Sequence, residues 1–202
     1  MVKRFAIVFP GHGSQSIGML ADFAEKYALV EETFNQASDV LGFDLWQRCQ
    51  HGPEQDINRT ELTQPLLLTA SWAIWRIWQQ QGGPEPVVMA GHSLGEYSAL
   101  TAAQAVDFQV ALGLVEKRGQ FMQNAVPEGE GAMAVILNLA DKEVIQACTQ
   151  ACENQIVTAV NFNSPGQVVI AGHKDAVDRA MLIAKSLGAK RGLLVAPRDR
   201  PQ

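Results

Sequence analysis

The hydrophobic pattern opens with Phe5-Ala6-Ile7-Val8-Phe9, a short apolar block closed by Pro10-Gly11-His12-Gly13-Ser14-Gln15. A block of that length ended by turn formers predicts a buried strand over residues 4–9, followed by a glycine-rich loop. Helical periodicity then runs over 19–41. Thr63-Gln64-Pro65 supplies capping and first-turn chemistry for a helix reaching about residue 80, because a proline in the first turn gives up no hydrogen bond. Trp72, Trp75 and Trp78 recur along it as an expected core-facing stripe. Gly82-Gly83-Pro84 ends that helix. A second buried strand over 86–90, a tight turn, and helices over 94–104 and 108–124 complete the first half.

The texture changes after Pro127. Gly129 and Gly131 precede a strand (132–137), a helix (141–152), a strand (156–161), a turn at Ser164-Pro165-Gly166, a strand (168–171), a helix (174–187) and a strand (190–195). The order β-α-β-β-α-β is the ferredoxin-like arrangement. The expected organisation is an α/β portion over 1–127, a small ferredoxin-like subdomain over 128–196, and an aberrant tail over 197–202.

Composition narrows the classes. With 47% hydrophobic and 18% charged residues in 202, the chain is that of a globular protein with a sizeable core. No apolar run approaches the roughly 20 residues that span a bilayer, and the run behind Lys3-Arg4 is too short for a signal peptide, so a cytoplasmic location without a membrane partner is expected. Cys49, Cys148 and Cys152 are an odd number without a completing Cys or His pair, which predicts reduced thiols and no metal site. A net charge of −5 disfavours nucleic acid. A polyanionic ligand would need a local patch, for which Lys185, Lys190, Arg191, Arg198 and Arg200 are the candidates, or else they form a solvated face.

Gly91-His92-Ser93-Leu94-Gly95 matches the G-x-S-x-G nucleophile elbow and falls between an apolar strand and a helix, where a serine hydroxyl stands clear above a sheet. The helix starting at Leu94 would aim free N–H groups at charge forming there. Acyl transfer also needs a second oxyanion donor, a base and a group that recognises the acyl chain. The backbone N–H of His12 in the early loop is the candidate donor. Arg118, beside Gly119 on the helix after the elbow, is the candidate grip for a carboxylate. A surface ion pair is the alternative for Arg118.

Phe9 to Gln15, Thr63-Gln64-Pro65, Gly91 to Leu100, Val115 to Met122 and Asn161 to His173 together resemble the bacterial malonyl-CoA:acyl-carrier-protein transacylase family over residues 1 to about 191. The resemblance implies a hydrolase-like parallel-sheet large subdomain, incomplete here, with the small subdomain inserted. It implies Ser93 as nucleophile, the His12 and Leu94 amides as oxyanion hole, and Arg118 as the clamp on the malonyl carboxylate. Gln64, Asn161 and Asn163 would lie near the cleft. It implies malonyl-CoA and acyl-carrier protein as partners, fatty acid synthesis as the setting, and no cofactor beyond the coenzyme A thioester substrate.

Two departures stand against that pattern. The family usually carries glutamine at the position of His12, which leaves the backbone donor in place. The family also continues beyond the small subdomain into Pro-Ser-His, which supplies the catalytic base, whereas here the likeness fails after Lys190-Arg191 and the sequence ends near that point. A shifted reading frame is the expected origin of the tail. Among the histidines present, His12 is the substitute base within reach. His92 diverges from Ser93 as neighbouring side chains do, and His51 and His173 read as structural or solvated. An inactive fragment and a serine esterase or thioesterase are the rival readings.

Overall fold

The computed structural model of the chain describes residues 4–125 and 129–195. The expected joint at Pro127, the tail over 197–202, and Arg198 and Arg200 with it, lie outside them. The chain forms two compact units that divide between Ala125 and Val126. Its sheets are of two kinds, one parallel and one antiparallel.

In the first unit, β1 (Ala6–Phe9) and β2 (Val88–Gly91) pair in parallel, Ala6 opposite Val88 and Phe9 opposite Gly91. Parallel neighbours need a long crossover. Five helices supply it: α1 (Ala21–Ala24), α2 (Leu29–Leu41), α3 (Leu45–His51), α4 (Glu54–Ile57) and α5 (Thr60–Gln80). Beyond β2 come α6 (Leu94–Ala102) and α7 (Phe108–Gln123). Val30, Phe34 and Ala37 share one face of α2 by helical spacing. That face meets Leu45, Leu66, Leu68, Leu112 and Val115 in one buried cluster. Asp44 and Asp107 start α3 and α7 by accepting the Gln47 N–H and the Gln109 and Val110 N–H groups.

Sequence expectations are refined here at several points. The strands are shorter and only half covered, with Val8 72% and Val88 54% exposed, because successive strand residues face opposite sides and one side is packed among the described residues. The helical periodicity over 19–41 resolves into α1 and α2, and the turn between them lets Tyr27 and Leu29 reach the cluster. His51 ends α3. Most instructive is α5, which starts at Thr60 and holds Pro65 inside it. An N-cap side chain accepts an N–H, but the Thr63 hydroxyl instead donates to Ile57 O at 2.6 Å and Arg59 O at 2.9 Å, so it closes the preceding turn from within the helix.

The tryptophan stripe is also only partly inward. Residues three apart drift by about 60° per step around an α-helix. Trp75 is 3% exposed, Trp72 stacks on Phe108 at 5.8 Å, and Trp78 is 39% exposed, its Nε1 donating to Pro84 O at 3.1 Å.

The second unit runs β3 (Gly131–Leu137), α8 (Asp141–Ala151), β4 (Val157–Ser164), β5 (Gln167–His173), α9 (Lys174–Ser186) and β6 (Arg191–Val195). Its strands lie in the order β4-β5-β3-β6, antiparallel throughout. Ala134, Ile136, Val168 and Ile170 alternate inward along β3 and β5. Val144, Ala147, Cys148 and Ala151 of α8 and Ala176, Val177, Ala180 and Ala184 of α9 meet them, the small side chains letting both helices lie close to the sheet. Arg179 caps the end of α8 with two bonds to Ala151 O, at 3.1 and 2.9 Å. Among the described residues no helix is long and apolar enough to cross a membrane.

Candidate active site

Ser93 stands between β2 and α6 with φ 55° and ψ −111°, a conformation that non-glycine residues seldom adopt. Its neighbours permit it. A Cβ on Gly91 would sit 1.9 Å from the Gly95 carbonyl carbon, and one on Gly95 would sit 2.3 Å from Phe9 O. The turn therefore closes on itself and rests on the end of β1. A Cβ on Gly11 would lie 2.9 Å from His92 O, so the early loop meets the elbow through backbone contact. The Leu94 amide heads α6, among the N–H groups that a helix leaves without an internal partner.

Arg118 reaches this turn from α7. Its Nη2 donates to Ser93 Oγ at 2.9 Å, its Nη1 donates to Gln64 Oε1, and the guanidinium lies 5.9 Å from the Tyr97 ring centre. Gln64 is fully buried, and its Nε2 lies 3.4 Å from Met122 Sδ. Gly119 makes the approach possible, since a Cβ there would lie 2.6 Å from Glu61 Cα. Among the described residues no carboxylate pairs with Arg118, so the surface ion pair weighed from the sequence is not what holds it. The His12 imidazole titrates below its usual range, first because of desolvation by burial and second because of the Arg118 guanidinium. The ring is accordingly neutral at physiological pH and shares the neighbourhood of the arginine.

Ser93, Arg118, Gln64, His12 and Leu94 thus come together in the first unit. Asn161 and Asn163 belong to β4 of the second, where Asn161 pairs with Val169 and Asn163 falls in the register shift between Phe162 and Ser164. His173 Nδ1 accepts the Ile156 N–H at 3.1 Å, a structural role within the same unit. Tyr97 and Met122 escaped the sequence reading. The signal for Met122 was its place one helical turn beyond Arg118, which puts both on one face. Cys49 and Cys148 are buried, and burial raises both thiols to about 11, which makes them poor nucleophiles. Among the described residues no group of three His, Cys, Asp or Glu could hold a metal ion.

A serine on a strained turn between a strand and a helix, with a guanidinium donating to its hydroxyl, has the strand–elbow–helix context of the G-x-S-x-G motif. Residues 6–192 match the acyl transferase domain, and the chain belongs to that family. It is 62% identical over 192 residues to the malonyl CoA-acyl carrier protein transacylase of Escherichia coli K12, covering 95% of this chain and 62% of the relative. Against the enzyme of that name from Staphylococcus aureus MRSA252 the identity is 38% over 196 residues. The crystal structure of an acyl carrier protein S-malonyltransferase from Vibrio cholerae superposes with a TM-score of 0.90 at 60% identity, over 96% of this chain and 63% of that one. A malonyl-transacylase solved in complex with a type II polyketide synthase acyl-carrier protein superposes with a TM-score of 0.89 at 59% identity, over 96% of this chain and 63% of that one. The chain spans about 62% of the length of the Escherichia coli relative.

Proposed function

We propose that the chain carries the acylation site of a malonyl-CoA:acyl-carrier-protein transacylase of fatty acid synthesis, working in the cytoplasm. The observation that carries the reading is the Arg118 guanidinium, 2.9 Å from Ser93 Oγ and held by neutral partners. A cation so placed lacks only the carboxylate of an incoming acyl group.

Ser93 Oγ attacks the malonyl thioester as its proton passes to a base, and the oxyanion is stabilised by the His12 and Leu94 amides. Each such donor is typically worth about 3 kcal/mol of barrier. The tetrahedral adduct collapses, coenzyme A leaves as the thiol with the proton returned, and the pantetheine thiol of acyl-carrier protein then takes the malonyl group by the reverse sequence. Arg118 grips the malonyl carboxylate with two parallel bonds and disfavours acetyl groups, which leave the guanidinium without a counter-charge. The base is a histidine of the kind the family carries beyond the small subdomain. Gln64, Asn161 and Asn163 are the further candidates for substrate binding. The first unit corresponds to a hydrolase-like large subdomain (1–127) and the second to a ferredoxin-like small one (128–196), a reading supported by the strand order β4-β5-β3-β6. No cofactor enters the scheme.

The test compares the chain with a version extended by the remaining length of the Escherichia coli relative. Intact mass after mixing with malonyl-CoA should show a malonyl ester in the extended form that Ser93→Ala abolishes. Arg118→Ala in that form should slow malonyl transfer roughly a hundredfold while acetyl transfer falls much less. Equal losses with both acyl groups refute the clamp, hydrolysis without transfer favours the thioesterase reading, and strong labelling of the unextended chain makes His12 the base.

A further inference from the structure

The loop between β1 and α1 contains a tie that the proposed chemistry leaves without a role. Gln15 Oε1 accepts the Gly13 N–H at 2.9 Å, and Gln15 Nε2 donates to Asn58 Oδ1 at 2.8 Å. The first bond dictates the second. A backbone N–H only donates, so it must meet the oxygen of the Gln15 amide; the nitrogen then faces Asn58, which has to answer with its own oxygen. Asn58 is itself anchored. Its N–H donates to Glu54 O at 3.2 Å as it closes α4, and the Thr63 hydroxyl bonds Ile57 O and Arg59 O on either side of it.

The same corner, from α4 into the second turn of α5, carries Gln64, the acceptor for Arg118. One end of the corner therefore directs the guanidinium, and the other end reaches the loop in which His12 immediately precedes Gly13. We infer that Gln15 and Asn58 are positioning residues for the proposed reaction, holding the His12 amide where an oxyanion forming at Ser93 can use it. The inference rests on the reading above, in which that amide is an oxyanion donor. The physical need is plain: Gly11 and Gly13 give the loop wide backbone freedom, with Gly13 at φ 95°. A donor of this kind works only within about 0.5 Å of its productive place.

The variants are made in the extended chain described above, with Ser93 malonylation followed under steady-state and single-turnover conditions. Asn58→Leu should lower kcat by about tenfold to a hundredfold with KM little changed, because Arg118 still holds the malonyl carboxylate. Asn58→Asp retains an acceptor for Gln15 Nε2 and should stay within about threefold of the parent. Gln15→Met removes the tie from the loop side and should reproduce the loss if the corner variant fails to fold. In the 202-residue chain, the Gly13 amide should exchange faster in Gln15→Met. Parental kcat in a folded Asn58→Leu protein, a loss confined to KM, or an Asn58→Asp protein as slow as Asn58→Leu would overturn the inference. An extended parent that forms no Ser93 ester overturns the underlying reading instead, which separates the two failures.

Discussion

The sheets of the two units are stabilised in different ways. In the second unit each strand has an antiparallel neighbour, and α8 and α9 cover one face with small residues. In the first, two short parallel strands leave Val8 and Val88 largely uncovered, and the helices carry the main core. The candidate site belongs to the first unit. Its geometry comes from close backbone approach at Gly91, Gly95 and Gly11 and from side-chain amides that bridge helices, rather than from a buried sheet. Site integrity and the stability of the second unit should therefore be separable.

The sharpest way to break that comparison is to add one carbon to each unit where backbone meets backbone. A Cβ on Gly91 would lie 1.9 Å from the Gly95 carbonyl carbon, and one on Gly172 would lie 2.0 Å from Ile156 O. Neither obstacle is a flexible side chain, so each alanine should cost more than about 4 kcal/mol locally. In hydrogen-exchange mass spectrometry, Gly91→Ala should strip protection from β1, β2 and α6 while leaving β3 and β5 protected. Gly172→Ala should do the reverse. Joint loss of protection in either variant would show that the units do not stand separately.

A smaller effect tests whether the first unit is loosely packed or only thinly sheeted. Phe34 is fully buried, with its ring edge-on to Trp46 at 4.8 Å. Ile170 occupies the equivalent depth in the second unit. Phe34→Ala should cost about 3–5 kcal/mol and Ile170→Ala about 2–5 kcal/mol in urea unfolding of the respective units. Leu182→Ala, at an exposed position, should change little. A Phe34→Ala cost below about 1 kcal/mol would mean that the helical core of the first unit is loose as well.

The same contrast governs what could be read from sequence. Residue patterns located every element of the second unit, because β3, β5, α8 and α9 each bury part of their length and the turn between β4 and β5 holds Pro165 and Gly166. In the first unit the elbow was legible, since strand, glycines and helix are consecutive, and Arg118 was singled out on the helix that follows, beside Gly119. What held them was not. Gln15 and Asn58 are 43 residues apart, and Gln64 and Arg118 are 54 apart. Local pattern says nothing of such pairs. Thr63 and Pro65 misled for a related reason: the same residue types that start a helix from outside can also close a turn from inside it.

The smallest expected effect concerns His12, the position at which the family usually has glutamine. Its pKa lies below 6.5 in the folded chain, chiefly through burial and secondarily through Arg118. From about a unit above pH 6.5 the ring is almost wholly neutral whether the chain is folded or not, and proton linkage is negligible. As pH falls below that value, the unfolded chain takes up the proton first, so stability declines until pH passes the depressed folded value and then levels off. His12→Gln removes this slope. The urea midpoint of the first unit should therefore fall further for the parent than for His12→Gln between about pH 7.5 and about pH 5, while the second unit responds identically in both. Arg118→Ala supplies the finer cut. By NMR titration it should move the His12 pKa only part of the way back towards its ordinary value, because burial is the larger cause. Full recovery would instead make the guanidinium the dominant influence and place the ring much nearer to it than to solvent-excluding neighbours; no movement would separate His12 from the arginine altogether.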